Sequence, residues 1–280
     1  MKNKLKGLSI HLTLILICFL CLLPFLWLTS TSLKGAEENI FQYPPVLLPK
    51  HPTLNNFKEI LELVPIIKYA VNSFIVAFFT VILNLIFSAL AAYPLARMDF
   101  RGKNFAFFMI LITLTVPFQA IMLPVYIIIL KMNLIDSVSD FHGYLGQILP
   151  FCVNAFGIFL LRQAFLTIPK EMEESAFIDG CNSFQIFYKI LLPLIKPSLS
   201  VLAIFTFVGS WGEFLWPSII LTKQSLFTLP VGINELQGAF SANYRLIAAG
   251  SIVSILPILA FFLTLQRYFI KGTGEGAVKG

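Results

Sequence analysis

The feature that most constrains this chain is a series of six long apolar runs separated by polar segments. A helix needs about 20 residues to cross the hydrocarbon core of a bilayer, and each run is close to that length. With 58% hydrophobic residues, 12% charged residues and a mean hydropathy of +0.85, the chain is too apolar for a soluble domain. We therefore predict an all-α, multispanning membrane protein that forms a single domain over residues 1–280, with spans at 8–28, 69–95, 105–130, 144–161, 198–221 and 248–270.

The first run follows Lys2, Lys4 and Lys6, and a basic start before an apolar stretch also occurs in signal peptides. The run is longer than a signal-peptide core, and no small-residue cleavage site follows it. We expect it to be retained as the first span.

Lys and Arg residues are distributed unequally between the two sides that six spans would create. The side with both termini carries thirteen of the 20, and the other side carries seven. Because positive residues stay in the cytoplasm, the sequence predicts cytoplasmic termini and a cytoplasmic segment 162–197. The basic residues lie at the ends of apolar runs instead of forming one patch, which favours membrane orientation over nucleic-acid binding.

Segment 162–197, between the fourth and fifth spans, begins with residues that favour the start and the end of a short helix. Pro169 suits a helix entrance, and the following glutamates, Glu171, Glu173 and Glu174, complement the helix dipole. Gly180 suits the left-handed position that ends such a helix.

A second short helix is predicted after Gly180, with a cap at Asn182 or Ser183 and an end at Pro193. Its apolar residues recur on one face: Phe184, Phe187, Ile190 and Leu191. Ser175 and Ala176 in the first helix are small enough to pack closely against another protein. A pair of helices at the membrane surface without any partner explains these residues equally well.

The sequence contains no pattern typical of a catalytic, metal or nucleotide site. The histidines lack metal-ligand spacing, and no phosphate-binding glycine loop with its lysine occurs. We therefore expect no catalytic residue, no metal, no cofactor and no ATP hydrolysis by this chain.

Polar side chains inside the spans are candidates for a solute pathway, because they are costly in a bilayer. Glu213 is the one acid that qualifies, with Trp211 beside it; Asn154 and Gln119 are weaker candidates, since hydrogen bonds between helices also explain them. Glu213 can alternatively lie near the outer end of its helix and reach interfacial water. One intramembrane acid and no inverted repeat argue against an ion-coupled carrier, so energy should come from a partner.

Segment 162–197 also carries a family resemblance. The segment resembles the EAA signature of ABC-importer permeases. The matching residues are Glu174, Ser175, Ala176, Gly180, Ile190, Leu192 and Pro193. Every spacing is kept, and Ser175 replaces an alanine. The chain also resembles the carbohydrate-uptake subclass of these permeases, and within it the smaller, six-span permease of the maltose type. This resemblance lies at residues 52–57, 72–73, 91–97, 161–163, 211–216, 228–232, 266–272 and 276–280. Gly212 departs from this pattern, in which asparagine is common.

The resemblance implies a permease subunit of an ATP-driven sugar importer in the bacterial cytoplasmic membrane, forming half of the translocation pathway. Its implied partners are a second homologous permease in a heterodimer, two ATP-binding subunits, an extracytoplasmic substrate-binding protein and membrane lipid, without nucleic acid. The EAA helix would be a cytoplasmic coupling helix, with ATPase coupling at Glu174, Ser175, Ala176, Asp179, Gly180, Ile190, Leu192 and Pro193. The tail, residues 271–280, would contact the ATPases at Gly276, Ala277, Val278 and Lys279.

Three alternatives stay open at this point. The chain can be an ABC permease for a non-sugar solute, such as a glycerophosphodiester or a polyol. It can also be a secondary carrier driven by an ion gradient, or a membrane-anchored scaffold or sensor without solute flux.

Overall fold

The structure is a computed structural model, and it describes the backbone of residues 2–44, 46–237 and 243–274. Within these ranges the chain forms helices and loops and no strand, which confirms the all-α prediction. The α-helices are α1 (Lys2–Leu33), α2 (Asn55–Leu63), α3 (Ile66–Arg97), α4 (Lys103–Thr113), α5 (Phe118–Lys131), α6 (Asp140–Ile148), α7 (Ala155–Leu166), α8 (Glu171–Ile178), α9 (Ser183–Gln185), α10 (Leu192–Leu194), α11 (Lys196–Gly212), α12 (Leu215–Ile220), α13 (Leu229–Asn234) and α14 (Tyr244–Gly274). Short 3-10 turns lie at Leu149–Phe151 and Gln224–Leu226, and a π-helical turn lies at Ile186–Leu191.

In the described part of the chain, three helical stretches are long and apolar enough to cross a bilayer unbroken: Ile10–Leu33, Ile66–Arg97 and Tyr244–Gln266. The other candidates are bent pairs of helices. The α4–α5 pair bends by 100°, Asp140–Phe151 bends by 54° against α7, and Ser183–Leu194 bends by 76° against α11. With each bent pair taken as one span, the count agrees with the six predicted spans.

The helices break at identifiable residues inside three predicted spans. Pro117, which has no N–H to continue a helix, takes φ −66° and ψ 140° between α4 and α5. The predicted span at 198–221 breaks at Glu213, whose backbone is extended after α11 ends. The span at 144–161 breaks at residues 152–154. Non-helical backbone at membrane depth is tolerated where protein covers it or where it lines a cavity.

The chain divides into two compact units, and the first consists of residues 1–68 and 229–256. Asn56 on α2 donates hydrogen bonds of 2.8 Å to the carbonyl oxygens of both Ser32 and Lys34. Arg245 at the start of α14 donates to the carbonyl oxygens of Ala36 and Glu38. The Arg245 bonds link residues of two predicted loops, 33–68 and 222–245, that the sequence places on the same side of the membrane.

The second unit, residues 69–228 and 257–280, contains two apolar cores. The EAA-side core is built on α3, α7, α11 and the EAA segment (residues 162–197). Its buried residues are Ala89, Ala92, Leu95, Ala96, Ile158, Leu161, Phe165, Ile168, Ala176, Ile186, Phe187, Leu191, Ile195 and Leu202. The Trp216 core consists of Ile129, Leu134, Trp216, Ile220, Leu221 and Leu226.

A buried carboxylate fastens two loops of the second unit to each other. Asp136 accepts hydrogen bonds from the backbone N–H groups of Thr222 and Lys223, both 2.6 Å, and from the Thr222 hydroxyl at 2.9 Å. Burial raises the pKa of Asp136, but these hydrogen bonds outweigh burial and leave the pKa below its usual 3.8. Both loops belong to the side that the sequence predicts to face outward.

Candidate functional site

Helix α8 has the start and end that its sequence predicts. Three glutamates occupy its first turn, and Gly180 follows it with a φ of +83°, a left-handed conformation that L side chains rarely adopt. Asn182 and Gln185 then form a capping box, in which each side chain accepts the other residue's backbone N–H at 2.9 Å. The EAA segment is therefore locally well defined by hydrogen bonds and backbone geometry.

The underside of α8 packs on this chain. Ala176 is 5% exposed and belongs to the EAA-side core with Ile186, Phe187 and Leu191. Its small side chain lets α8 pack closely against the core of its own unit, and a contact of Ala176 with another protein stays a prediction. Ser175 is exposed, and its hydroxyl donates to the carbonyl of Glu171 at 2.8 Å.

The second predicted helix also differs from its sequence pattern. Its middle is π-helical, so Phe187 and Leu191 point into the core while Phe184 is 67% exposed. Ile190 and Leu192 pack partly buried against the same core. Pro193 does not end the helix: helical backbone continues through Leu194, and the break follows at Ile195.

An ion pair that the sequence did not reveal ties α8 to α3. Arg97 Nε lies 2.8 Å from Glu173 Oε1, and the two side chains are only 4% and 13% exposed. Arg97 also donates to the carbonyl of Ile168 at 2.6 Å. Arg162 reinforces this junction by donating to the Leu95 carbonyl at 3.0 Å. The end of α3 is thus held to the EAA segment by charged groups at three points.

The outer face of α8 is apolar as well as acidic. Ile178 is 87% exposed, and Phe177 and Phe184 are also exposed beside the exposed Glu174, Asp179 and Gly180. We refer to these six residues as the EAA surface. Apolar side chains clustered on an exposed surface are typical of a protein interaction site. Sequence reasoning missed Ile178 and Phe177, because only the glutamates and small residues of this helix were considered.

A cavity of about 200 Å³ lies where the helices of the second unit break. We refer to it as the Glu213 cavity, and it is lined by Val76, Thr80, Gln147, Phe151, Asn154, Phe205, Thr206, Gly209, Ser210, Glu213, Trp216 and Pro217. It brings together two of the predicted pathway residues, Glu213 and Asn154. Trp211 is instead buried against Phe207, and Gln119 is exposed on α5, so neither lines this cavity.

Asn154 caps α7, and Glu213, which precedes the N-cap residue of α12, accepts an N–H from the first turn of that helix. Glu213 Oε1 accepts the backbone N–H of Trp216 at 3.1 Å, and Asn154 Oδ1 accepts that of Gly157 at 2.6 Å. Trp216 is anchored by a 3.1 Å hydrogen bond from its indole N–H to the Gly146 carbonyl. The carboxylate therefore sits at a helix break that lines the cavity.

Three polar cavity residues, Gln147, Thr80 and Thr206, were missed from the sequence. Gln147 satisfies the criterion that selected Gln119 and Asn154, since it lies inside the predicted span at 144–161. Threonine is common in apolar helices, so Thr80 and Thr206 carried no distinguishing signal. The described part of the chain contains no group of three or more His, Cys, Asp or Glu residues placed to hold a metal ion. The predicted tail contacts, Gly276 to Lys279, lie outside the described residues.

Comparison with known protein families identifies the chain. The family described as "Binding-protein-dependent transport system inner membrane component" matches residues 84–274. The chain belongs to this family. It is thus a multi-pass inner-membrane permease of a transport system that depends on a binding protein, as the EAA resemblance implied.

Permeases of named transport systems are similar to this chain over most of their length. The arabinooligosaccharide transport permease AraQ of Halalkalibacterium halodurans is 38% identical over 266 residues, which cover 94% of this permease and 93% of AraQ. The sn-glycerol-3-phosphate permease UgpE of Yersinia enterocolitica is 31% identical, with 95% and 96% covered.

Solved structures show the same fold. A chain from the crystal structure of a bacterial ABC transporter involved in alginate import aligns with a TM-score of 0.80 at 24% identity, with 96% of this permease and 98% of that chain covered. A second alginate transporter chain, crystallised with a pentasaccharide-bound periplasmic protein, aligns with a TM-score of 0.65 at 16% identity, with 94% and 93% covered. The ABC-permease fold is therefore confirmed.

Proposed function

We propose that this permease imports a carbohydrate, that ATP hydrolysis in partner subunits drives the import, and that α8 is the coupling helix. The EAA surface is the observation that carries the proposal. It exposes apolar side chains next to carboxylates on a helix whose underside is fixed to its own unit. The arabinooligosaccharide permease similar over nearly the whole chain supports a sugar as the solute.

Arg97 and Glu173 provide the first step of the proposed coupling. A partner that pushes on the EAA surface moves α8, and the buried ion pair transfers this movement to α3. Packed helices joined in this way move as rigid bodies. Glu174, Ser175, Asp179 and Gly180 would meet the ATPase, while Ala176, Ile190, Leu192 and Pro193 would hold the segment in shape.

Loop contacts support the proposed orientation, with both termini and the EAA segment in the cytoplasm. Asp136 joins one predicted outward loop to another, and Arg97 joins the predicted cytoplasmic loop 96–104 to the EAA segment. Each contact connects segments assigned to one side by the distribution of Lys and Arg.

The proposed assembly contains a second homologous permease, two ATP-binding subunits and an extracytoplasmic binding protein. This permease would be its non-catalytic half-pathway, with the tail at residues 276–279 touching the ATPases. The family match from 84 to 274 includes residues of both compact units, which supports one permease domain over 1–280.

Uncoupling variants test the proposal. Gly180→Asp forces a side chain into a left-handed backbone position, and Glu174→Lys reverses a charge on the EAA surface. In proteoliposomes holding the complete transporter, both variants should insert normally but lose ATP-driven uptake of neutral oligosaccharides by about tenfold or more. Glu171→Lys, an exposed position on the same helix outside the EAA surface, is the matched control. Wild-type uptake per ATP in both test variants would contradict the coupling assignment.

A further inference from the structure

Three side-chain oxygens of the Glu213 cavity have no hydrogen-bond partner among the described residues: Gln147 Oε1, Thr80 Oγ1 and Thr206 Oγ1. Gln147 is 2% exposed and Thr80 is 1% exposed. The Gln147 amide N–H donates to the Gly143 carbonyl at 3.3 Å, which leaves its oxygen as the unpaired end. Buried polar atoms without a partner are costly, so we expect these atoms to gain one in another state of the protein.

The two threonines differ from several other threonines in the chain's helices, although Thr31 on α1 also has no hydrogen-bond partner within the described ranges. A threonine hydroxyl in a helix commonly donates to a carbonyl three or four residues earlier, as Thr29, Thr167 and Thr264 do. Thr80 on α3 and Thr206 on α11 do not, and both line the same cavity. Their hydroxyls are therefore available to donate to, and accept from, a bound molecule.

The remaining lining restricts the chemistry of that molecule. Asn154 and Ser210 add further hydrogen-bonding groups, and Trp216, Phe151 and Phe205 add aromatic surface. The lining contains a carboxylate, Glu213, and no Lys, Arg or His. Binding of a phosphate or carboxylate ordinarily uses a cation, and a second anion near Glu213 would be repelled. The cavity thus favours a neutral molecule with several hydroxyl groups.

The size of the cavity limits how much of such a molecule fits. Its volume of about 200 Å³ is below the roughly 300–1,000 Å³ of pockets that hold drug-sized ligands. One sugar ring is a suitable occupant, whereas an oligosaccharide would have to leave its other units outside.

We propose that the Glu213 cavity binds one unit of a neutral sugar, and that Glu213 excludes sugars that carry a negative charge. This inference rests on the proposed function in carbohydrate import. Binding to the cavity requires neither ATP nor the ATPase subunits, so it is measured separately from transport.

Saturation-transfer NMR on the full-length permease in lipid nanodiscs tests the proposal, with L-arabinose as the neutral probe and D-galacturonate as the anionic probe. Arabinose should receive saturation from the wild-type protein and galacturonate should not. In Thr80→Val/Thr206→Val, which keeps side-chain shape and removes both hydroxyls, the affinity for arabinose should fall by about tenfold or more. Thr264→Val removes a hydroxyl that already has a partner and should leave binding unchanged.

Glu213→Gln tests the exclusion of anions. The glutamine oxygen can still accept the Trp216 N–H, so the start of α12 is preserved. This variant should bind galacturonate with a signal close to that of arabinose. Circular dichroism melts of each variant control for misfolding.

Absence of arabinose binding to the wild type would overturn the proposal, as would undiminished binding to the folded double valine variant. Wild-type binding of galacturonate equal to that of arabinose would overturn the role of Glu213. Failure of ATP-driven uptake in the complete transporter, with arabinose binding intact, would contradict the proposed function and leave the cavity assignment standing.

Discussion

The EAA segment and the Glu213 cavity belong to the same compact unit but have opposite designs. In the EAA segment the Asn182–Gln185 capping box closes the start of α9, and Glu173 forms a buried ion pair with Arg97 of α3. In the cavity two spans break, and Gln147, Thr80 and Thr206 keep unpaired oxygens. A region that transmits movement benefits from rigid internal bonds, while a region that admits a solute must hold hydrogen-bonding capacity in reserve.

The largest expected effect on stability comes from breaking the buried ion pair of the EAA segment. Glu173→Met leaves the buried Arg97 guanidinium without its carboxylate, and loss of one partner of a buried pair typically costs about 3–5 kcal/mol. Replacing both residues, as in Arg97→Met/Glu173→Met, should recover most of that stability. Thermal unfolding of the purified permease in detergent measures each variant, and a stable Glu173→Met single variant would show that the pair does not hold α8 to α3.

A second variant tests how tightly the protein packs behind Trp216, which lines the cavity. A Cβ on Gly146 would lie 2.1 Å from the Leu134 carbonyl oxygen and 2.7 Å from Ile220. Gly146→Ala should therefore lower the free energy of unfolding by about 1–3 kcal/mol and displace the Trp216 indole. Gly209→Ala is the control, because nothing lies within 4 Å of its Cβ position. Equal melting temperatures for the two variants would contradict tight packing behind Trp216.

A smaller effect is expected at the loop clamp formed by Asp136. Because folding lowers the pKa of Asp136, its carboxylate stabilises the protein above about pH 4 and loses this contribution as the pH falls further. Asp136→Asn should cost about 1 kcal/mol at neutral pH and flatten the stability profile at acid pH. Asp140 forms a half-exposed ion pair with Lys223, so Asp140→Asn should change the free energy of unfolding by only about a few tenths of a kcal/mol. Identical acid unfolding of wild type and Asp136→Asn would count against the clamp.

The features that sequence predicted best are those encoded by neighbouring residues. Span number follows from apolar run length, and the ends of α8 follow from the glutamates and Gly180. The Arg97–Glu173 pair was not predicted, because it joins residues far apart in the chain whose types are also common at span ends. The π-helical turn at Ile186–Leu191 was not predicted, and Phe184 is exposed at the start of this helix although its ring contacts that of the buried Phe187.

The cavity was predicted only in part for a related reason. Glu213 and Asn154 are conspicuous in apolar runs, but their hydrogen bonds to the helices that follow depend on breaks at which neither residue is proline. Pro117 signals a break by its missing N–H, whereas the backbone becomes extended at Asn154 and at Glu213 without a proline at either residue. Trp216, which lies on α12 after the break, lines the cavity, whereas Trp211, which lies on α11 before the break, does not.

The central claim is that force enters this permease through the EAA surface. The most direct measurement is the number of oligosaccharide molecules imported per ATP hydrolysed by the complete transporter carrying Ile178→Asp, with Ile178→Leu as the apolar control. Ile178 is 87% exposed, so neither substitution disturbs the EAA-side core. The account predicts that Ile178→Asp lowers this ratio by about tenfold while Ile178→Leu keeps it, and an unchanged ratio in Ile178→Asp would contradict it.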